Sequence, residues 1–394
     1  MIQSRRYDLD WLRLIAFGIL IYFHSAIIFV PGGLPLIQND VNSEWMAGLV
    51  TFSSQFRLAL LFLISGVGVA FARRRRSSRE FIVERSQRLL IPLTVGLLLV
   101  VPLCVYFERL HRLEFTGSFL SFLPTVFSTG LYPSGNLSWH HFWFIGYLYL
   151  FCLLGIRVFT WFESDYGQSF LNRIAVYCVG LRIYHYIALL LVVEVPLRIF
   201  FPGFRDLVHD WASFGHWFLV FLAGYVLANR PAVLDEINKM RFVSLIGAVV
   251  STALYFSIFY KYGQPPLTRD SANLLMLYPL YCVITITLAW CCLLTCLGFA
   301  AQHLRFSNRV LAYLNEAVYP LFILHLTVIA MLGYFVTPLD LSIAAKYLLI
   351  TTSTIAICLA SYHLLIRPFN PIRWLFGVKP KPSHARITAA ANPG

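Results

Sequence analysis

A soluble chain of 394 residues would fold as two or three domains. Here 59% of the residues are apolar and only 12% charged, against roughly 25% charged in ordinary soluble proteins, which excludes a soluble fold and points to an all-α, polytopic integral membrane protein. The formal charge of +13 falls in short clusters between apolar runs, without finger or helix-turn-helix spacing, so nucleic acid is excluded as a partner and membrane lipid headgroups are expected instead.

The first apolar run, LDWLRLIAFGILIYFHSAIIF (Leu9 to Phe29), follows Arg5 and Arg6 as a secretory signal would. It is too long, lacks a small-residue cleavage site and contains Arg13 and His24, so it reads as a retained first span. Ten runs of the length needed to cross a ~30 Å hydrocarbon layer are expected at about 10–31, 51–72, 90–108, 140–162, 183–201, 211–228, 242–260, 273–299, 318–336 and 343–366. With the N-terminus inside, 23 of the 31 Lys and Arg residues are cytoplasmic. Eight remain opposite: Arg57, Arg109, Arg112, Arg198, Arg205, Lys261, Arg269 and Lys346. That asymmetry predicts cytoplasmic termini on both ends. Residues 1–376 read as one transmembrane domain and 377–394, polar and proline-bearing, as a disordered cytoplasmic tail.

Lipid disfavours ionisable side chains by about 2.5–3.5 kcal/mol or more each, yet the first span holds Asp10, Arg13 and His24. Eleven steps of ~100° bring Arg13 and His24 onto one helix face, with Asp10 ~40° away and His24 ~16 Å deeper than Arg13. Singly, Arg13 could snorkel to the surface with Asp10 as its partner, and His24 could hydrogen-bond a neighbouring helix. Sharing a face, they point to a functional cavity.

Next comes FARRRRSSREFIVERSQRLLIP (Phe71 to Pro92). Arg73 to Arg76 read as a stop signal with lipid contact. Arg85 and Arg88, three apart on a helix entering the bilayer, present paired guanidinium forks suited to phosphate oxygens, and hence to a phosphorylated cofactor. Glu108 stands at the far end of the third span, where it could be only a rim charge. The long loop 109–139 ends in LYPSGNLSWHHFWF, where His140, His141, Trp139 and Trp143 suit an interfacial belt or a sugar platform equally. Glu194 and Arg198 read as a local ion pair. His325 is a second intramembrane histidine, five residues after Pro320.

The eight cysteines lie in or beside apolar segments and read as small hydrophobes. No paired zinc spacing is present, so no metal is expected. Neither G-x-S-x-G, H-E-x-x-H nor a P-loop occurs.

At Arg13 and His24, a basic residue followed after ten positions by histidine, the chain resembles the acyltransferase 3 family of membrane O-acyltransferases. Arg85-x-x-Arg88 is similar to that family's R-x-x-R motif, LLFLISGVGVAF (Leu60 to Phe71) to its second span, and AVYPLFILH, ending at His325, to its late Y-P-hydrophobic-H segment. RYDLDWLR, YFERL and GNLSWHHFWF resemble a branch labelled for glucan biosynthesis, whose namesake transferase succinylates periplasmic glucans.

The resemblance implies a multi-pass protein of the bacterial inner membrane. It would move an acyl group from cytoplasmic acyl-CoA (acetyl-CoA or succinyl-CoA, a co-substrate) to a hydroxyl of a periplasmic or cell-surface glycan. On that expectation His24 is the general base, or accepts the acyl group covalently, with Arg13 and Asp10 completing the catalytic set. Arg85 and Arg88 hold the cofactor; Glu108, His140, His141, Trp143 and His325 meet the acceptor. The competing readings are a multi-span transporter or flippase, against which no inverted repeat of spans is visible, and a non-catalytic scaffold. Acyl chain, acceptor glycan and oligomeric state stay open at this level.

Overall fold

The computed structural model describes residues 6–32, 36–201, 206–262 and 272–381. Arg5, Arg205, Arg269, Arg386 and the expected tail beyond Lys381 lie outside them. The described chain is helical, with no strand among the described residues. Among the described residues ten helices are long and apolar enough to cross a membrane: α1 (Tyr7–Phe29), α2 (Glu44–Arg73), α3 (Ser78–His111), α4 (His140–Glu163), α5 (Gly180–Phe200), α6 (Trp211–Asn229), α7 (Arg241–Lys261), α8 (Tyr278–His303), α9 (Arg309–Val336) and α10 (Ile343–Ile366). In hydrocarbon a helix is the form that meets all its own backbone hydrogen bonds, which is why these runs adopt it.

The expected spans agree in number with these helices, but α2, α3 and α9 begin 7, 12 and 9 residues earlier than hydropathy suggests. A hydropathy window sees only the stretch that lipid tolerates. Backbone hydrogen bonding carries the helix on into polar sequence. Shorter helices lie in the connections at Asp165–Tyr177 and Pro231–Lys239 and, after the last span, at Asn370–Leu375. The first is capped by the Ser164 hydroxyl, which accepts from the Gly167 amide at 3.2 Å.

α3 is irregular in two places. Five-residue π-turns at Ser86–Leu90 and Gly96–Val100 interrupt it, with Pro92 and Pro102 close behind. Proline has no N–H to return to the carbonyl four residues back, so the ladder loosens where each sits. Such turns often mark functional positions, and the first of these contains Arg88.

The chain divides into two compact units. One takes the described chain up to Phe23 with Glu44–Ile82 and Tyr147–Ala312. Within it α2 and α6 touch backbone to backbone. A Cβ on Gly66 would lie 1.9 Å from the Phe221 carbonyl oxygen, and one on Gly224 1.9 Å from that of Leu63. Small residues are what permit such an approach between membrane helices. Aromatic rings fill the space beside this contact, with Phe62 5.3 Å from Phe151 and 5.6 Å from Trp217.

Arg73, expected to face lipid headgroups, is buried, and its Nη2 and Nε donate to the two oxygens of Glu163 at 2.7 and 3.1 Å. Such a fork-to-fork pair joins α2 to α4. The Glu194–Arg198 pair is part of a larger network: Arg198 also reaches Asp210 at 3.3 Å and the Ser213 hydroxyl at 2.6 Å, which binds the end of α5 to the start of α6. None of the eight cysteines forms a disulfide among the described residues.

The other unit takes His24–Ser43, Val83–Gly146 and the chain from Tyr313. Its core gathers Leu36, Ile37, Cys104, Phe107, Leu326 and Ala330. α3 and α9 are joined where the Thr327 hydroxyl donates to the Val100 carbonyl at 3.0 Å. Buried Lys346 donates to Asn39 Oδ1 at 3.0 Å and the Thr337 carbonyl at 2.6 Å, pinning the connection after α1. Beyond α10 the helix Asn370–Leu375 is held by Arg373 against Glu316 at 2.5 Å. The chain continues folded through Lys381, whose amide donates to Asn370 Oδ1 at 2.8 Å.

The α2–α6 approach has a measurable consequence. Gly224→Leu should lower the melting temperature of the detergent-solubilised protein by several degrees, in line with the ~1–3 kcal/mol cost of overpacking. Gly48→Ala, whose Cβ would meet only the Tyr260 hydroxyl at 3.7 Å, should leave the melt unchanged.

Candidate active site

α1 is α-helical from Tyr7 to Ala26, which places His24 in its last α-helical turn. Its Nδ1 lies 3.0 Å from His325 Nε2. Both rings are buried, at 7% and 0% exposure. Hydrogen-bond logic assigns their protons. The Nδ1 of His325 lies 2.7 Å from the Phe322 carbonyl oxygen, which can only accept, so that nitrogen carries hydrogen. With both rings neutral, His325 Nε2 then accepts from His24 Nδ1–H, and the lone pair of His24 sits on Nε2. The pair therefore presents an imidazole in one tautomer with its basic nitrogen directed away from its neighbour.

A third ring completes the cluster. His141 Nε2–H donates to the Ile323 carbonyl at 3.2 Å, and its ring stands edge-on to His325 with centroids 5.0 Å apart. Its buried Nδ1 has no hydrogen-bond partner among the described residues.

His140 turns the other way. Its φ of +37°, a conformation costly for a residue with a Cβ, separates its ring from that of His141. Its Nδ1 shares a hydrogen bond with the Ser138 hydroxyl at 2.8 Å, and its Nε2 stands 3.8 Å from Glu108 Oε2. Glu108, expected as a rim charge, is completely buried. The Tyr132 hydroxyl donates to its Oε1 at 3.1 Å and Arg112 approaches at 3.5 Å.

Burial, reinforced by the Glu108 charge, pushes the acidity of Tyr132 far weaker than that of an ordinary phenol, so it stays a donor. Arg109 fastens the loop that carries Tyr132, donating to Asn136 Oδ1 at 2.9 Å and to the carbonyls of Pro133 and Gly135 at 2.7 and 2.9 Å. Glu108 Oε2 and His140 Nε2 are both buried and lack hydrogen-bond partners among the described residues. Their separation is one that a hydroxyl or a water can bridge.

At the Ser78 end of α3, Arg85 and Arg88 do lie together, but a carboxylate lies between them. Glu84 contacts Arg85 at 2.5 Å and Arg88 at 3.3 Å. The trio carries a net single positive charge, and the carboxylate holds its forks in place.

Asp10 and Arg13 form the expected pair at 3.8 Å, in the other unit. Since α1 is unbroken between them, Arg13 is ~16 Å along the axis from His24, too far to touch an atom reacting at that ring. Trp143 is buried with its ring edge-on to Phe144.

Of the ten residues singled out in the sequence, all except Asp10 and Arg13 fall in the unit that contains His24. Sequence reasoning missed Glu84, Tyr132 and the buried cation Arg57, whose guanidinium lies 3.3 Å from the centre of the Phe23 ring. Glu84 was detectable, being four residues before Arg88. Tyr132 was not, since its partner is 24 residues away across a loop. Among the described residues no group of three or more His, Cys, Asp or Glu is arranged to hold a metal.

A family model described as an acyltransferase domain, that of acyltransferase 3, matches residues 6–363. The chain is similar to the glucans biosynthesis protein C of Salmonella paratyphi B (strain ATCC BAA-1250 / SPB7), at 23% identity over 384 residues covering 95% of each chain. The proteins of that name from Salmonella dublin and Salmonella enteritidis PT4 match to the same extent. No solved structure matches.

The histidine pair makes a spectroscopic prediction. In protein labelled with ¹⁵N-histidine, the His24 resonances, assigned by loss in His24→Ala, should show the proton on Nδ1. In His325→Ala they should move towards the Nε2–H form. An Nε2–H tautomer in the native protein would contradict the assignment.

Proposed function

The chain belongs to the acyltransferase 3 family, and is therefore a membrane acyltransferase; on that footing we propose that it carries an acetyl or succinyl group from cytoplasmic acyl-CoA to a glycan hydroxyl on the opposite face of a bacterial inner membrane, with both termini cytoplasmic. A periplasmic glucan is the acceptor that the printed name of the relatives favours. The observation that carries the mechanism is the 3.0 Å His24–His325 contact, which leaves a lone pair on His24 Nε2.

In this reading His24 is the general base and His325 orients it, as the carboxylate of a serine-protease triad orients its imidazole. The acceptor's O–H proton passes to His24 Nε2 as its oxygen bonds to the thioester carbonyl carbon. The tetrahedral adduct then collapses, the C–S bond breaks, and the leaving sulfur takes the proton from His24. No net proton is left on the enzyme. The acceptor sugar is held at the Glu108–His140 gap, whose two unmatched atoms suit a hydroxyl.

Arg85 and Arg88 receive the phosphates of the donor. Arg13 and Asp10, ~16 Å along α1 from His24, take no part in this proton transfer. His141, beside His325, completes the wall of the site.

His24→Ala should reduce transfer about a hundredfold or more while leaving the melting temperature of the purified protein close to native. Radiolabelled acyl-CoA and an isolated glucan acceptor supply the assay, and full activity in the variant would remove His24 from the mechanism. Arg85→Ala and Arg88→Ala should each raise the KM for acyl-CoA while leaving that for the glucan near its native value. Glycan mass spectrometry of cells with and without the gene identifies the transferred group.

A further inference from the structure

Asn315 and Tyr319 lie one turn apart on α9, ~40° from one another around its axis. Both polar atoms of the Asn315 amide, and the Tyr319 hydroxyl, are buried without a hydrogen-bond partner among the described residues. Buried polar atoms are rarely left unmet in a native fold, and three on one helix face call for an explanation. The adjacent Glu316 does not supply one, because its carboxylate is taken by Arg373 at 2.5 Å.

This face adjoins the paired arginines. Gly377 follows the helix Asn370–Leu375 with φ +68°, and a Cβ on it would lie 2.5 Å from Tyr319 Cε1 and 2.8 Å from the Arg88 carbonyl oxygen. The Tyr319 ring and the backbone of Arg88 therefore meet across a glycine that no other residue can replace without displacing one of them. In the other direction along α9, His325 follows Tyr319 by six residues, ~9 Å of helix. An extended phosphopantetheine arm covers more than that distance.

We propose that Asn315 and Tyr319 form the subsite for the amide groups of the donor's pantetheine arm, between the arginines that take its phosphates and the histidines where its thioester reacts. The inference rests on the proposed role of Arg85 and Arg88 and adds the chemistry that follows them. The atoms select an amide over a phosphate. The amide side chain presents a donor and an acceptor together, and the acceptor oxygen of Asn315 would repel a phosphate oxygen but pairs with an amide N–H. The phenol donates to an amide carbonyl. A neutral subsite also leaves the charged trio of Glu84, Arg85 and Arg88 as the station for anions.

The test is calorimetric titration of the full-length protein in nanodiscs with two probes: coenzyme A, and adenosine 3′,5′-bisphosphate, which lacks the arm. Tyr319→Phe and Asn315→Leu should each weaken coenzyme A about tenfold and leave the bisphosphate unchanged. Arg85→Gln and Arg88→Gln should weaken both. Without ligand, Tyr319→Phe should melt at or above the native temperature, because it removes a buried hydroxyl that had no partner. The stabilisation that coenzyme A confers on the native protein should shrink in the variant.

Undiminished coenzyme A affinity in both the Asn315 and Tyr319 variants overturns the subsite while leaving the arginine cradle standing. Undiminished affinity for both probes in the arginine variants overturns the cradle. A native protein that binds no coenzyme A overturns both.

Discussion

The contact between His24 and His325 is the interaction on which the site depends, and its geometry is dictated by hydrocarbon. A buried imidazole must place its N–H somewhere, and each ring solves the problem for the next. The Phe322 carbonyl takes the proton of His325, and His325 takes that of His24. A chain of donors beginning at a backbone carbonyl, which cannot reverse its role, has one direction only. That direction sets which nitrogen of His24 is basic. The two residues are 301 positions apart, so the tautomer of one side chain is a property of how distant helices pack. Gly333, whose Cβ would press on Ile28 and Ile37 at 3.1–3.3 Å, is one place where that packing is tight.

Polar and charged residues inside the spans include two contrasting kinds. Arg73 and Arg198 have their guanidinium groups matched by carboxylates and a hydroxyl, and they join helix ends. Charges matched in this way can be accommodated in lipid without any catalytic duty. Glu108, His140, His141, Asn315 and Tyr319 differ, because each keeps a buried atom without a hydrogen-bond partner among the described residues. An incomplete network costs stability. All five lie in the unit that contains His24.

α3 gives this unit its polarity. Arg88 and Glu108 are 20 residues apart on it, ~30 Å of helix, close to the thickness of a bilayer core. One helix thus carries the paired arginines at one end and the buried carboxylate at the other. The π-turns and prolines between them change the angular relation of the two ends from that of a regular helix. Counting at 100° per residue cannot predict which way Arg88 faces relative to Glu108.

The sequence by itself determined the class of the molecule and the number of its spans, because apolar runs of membrane length have one stable conformation in lipid. It also determined that Arg13 and His24 share a face of α1, since that relation is internal to one helix, and it put Arg85 beside Arg88 for the same reason. The loop 109–139 could be read as belt or platform, and Glu108 as rim or core, because exposure depends on what packs above a residue and spacing says nothing of that. Tertiary structure decided the burial and the contacts: it buried Glu108, set Tyr132 and His140 against it, placed Glu84 between two arginines, and joined the histidines of α1 and α9. Helical periodicity is a local rule and can be read along the chain. A hydrogen bond between α1 and α9 exists only once the helices have assembled, and no spacing encodes it.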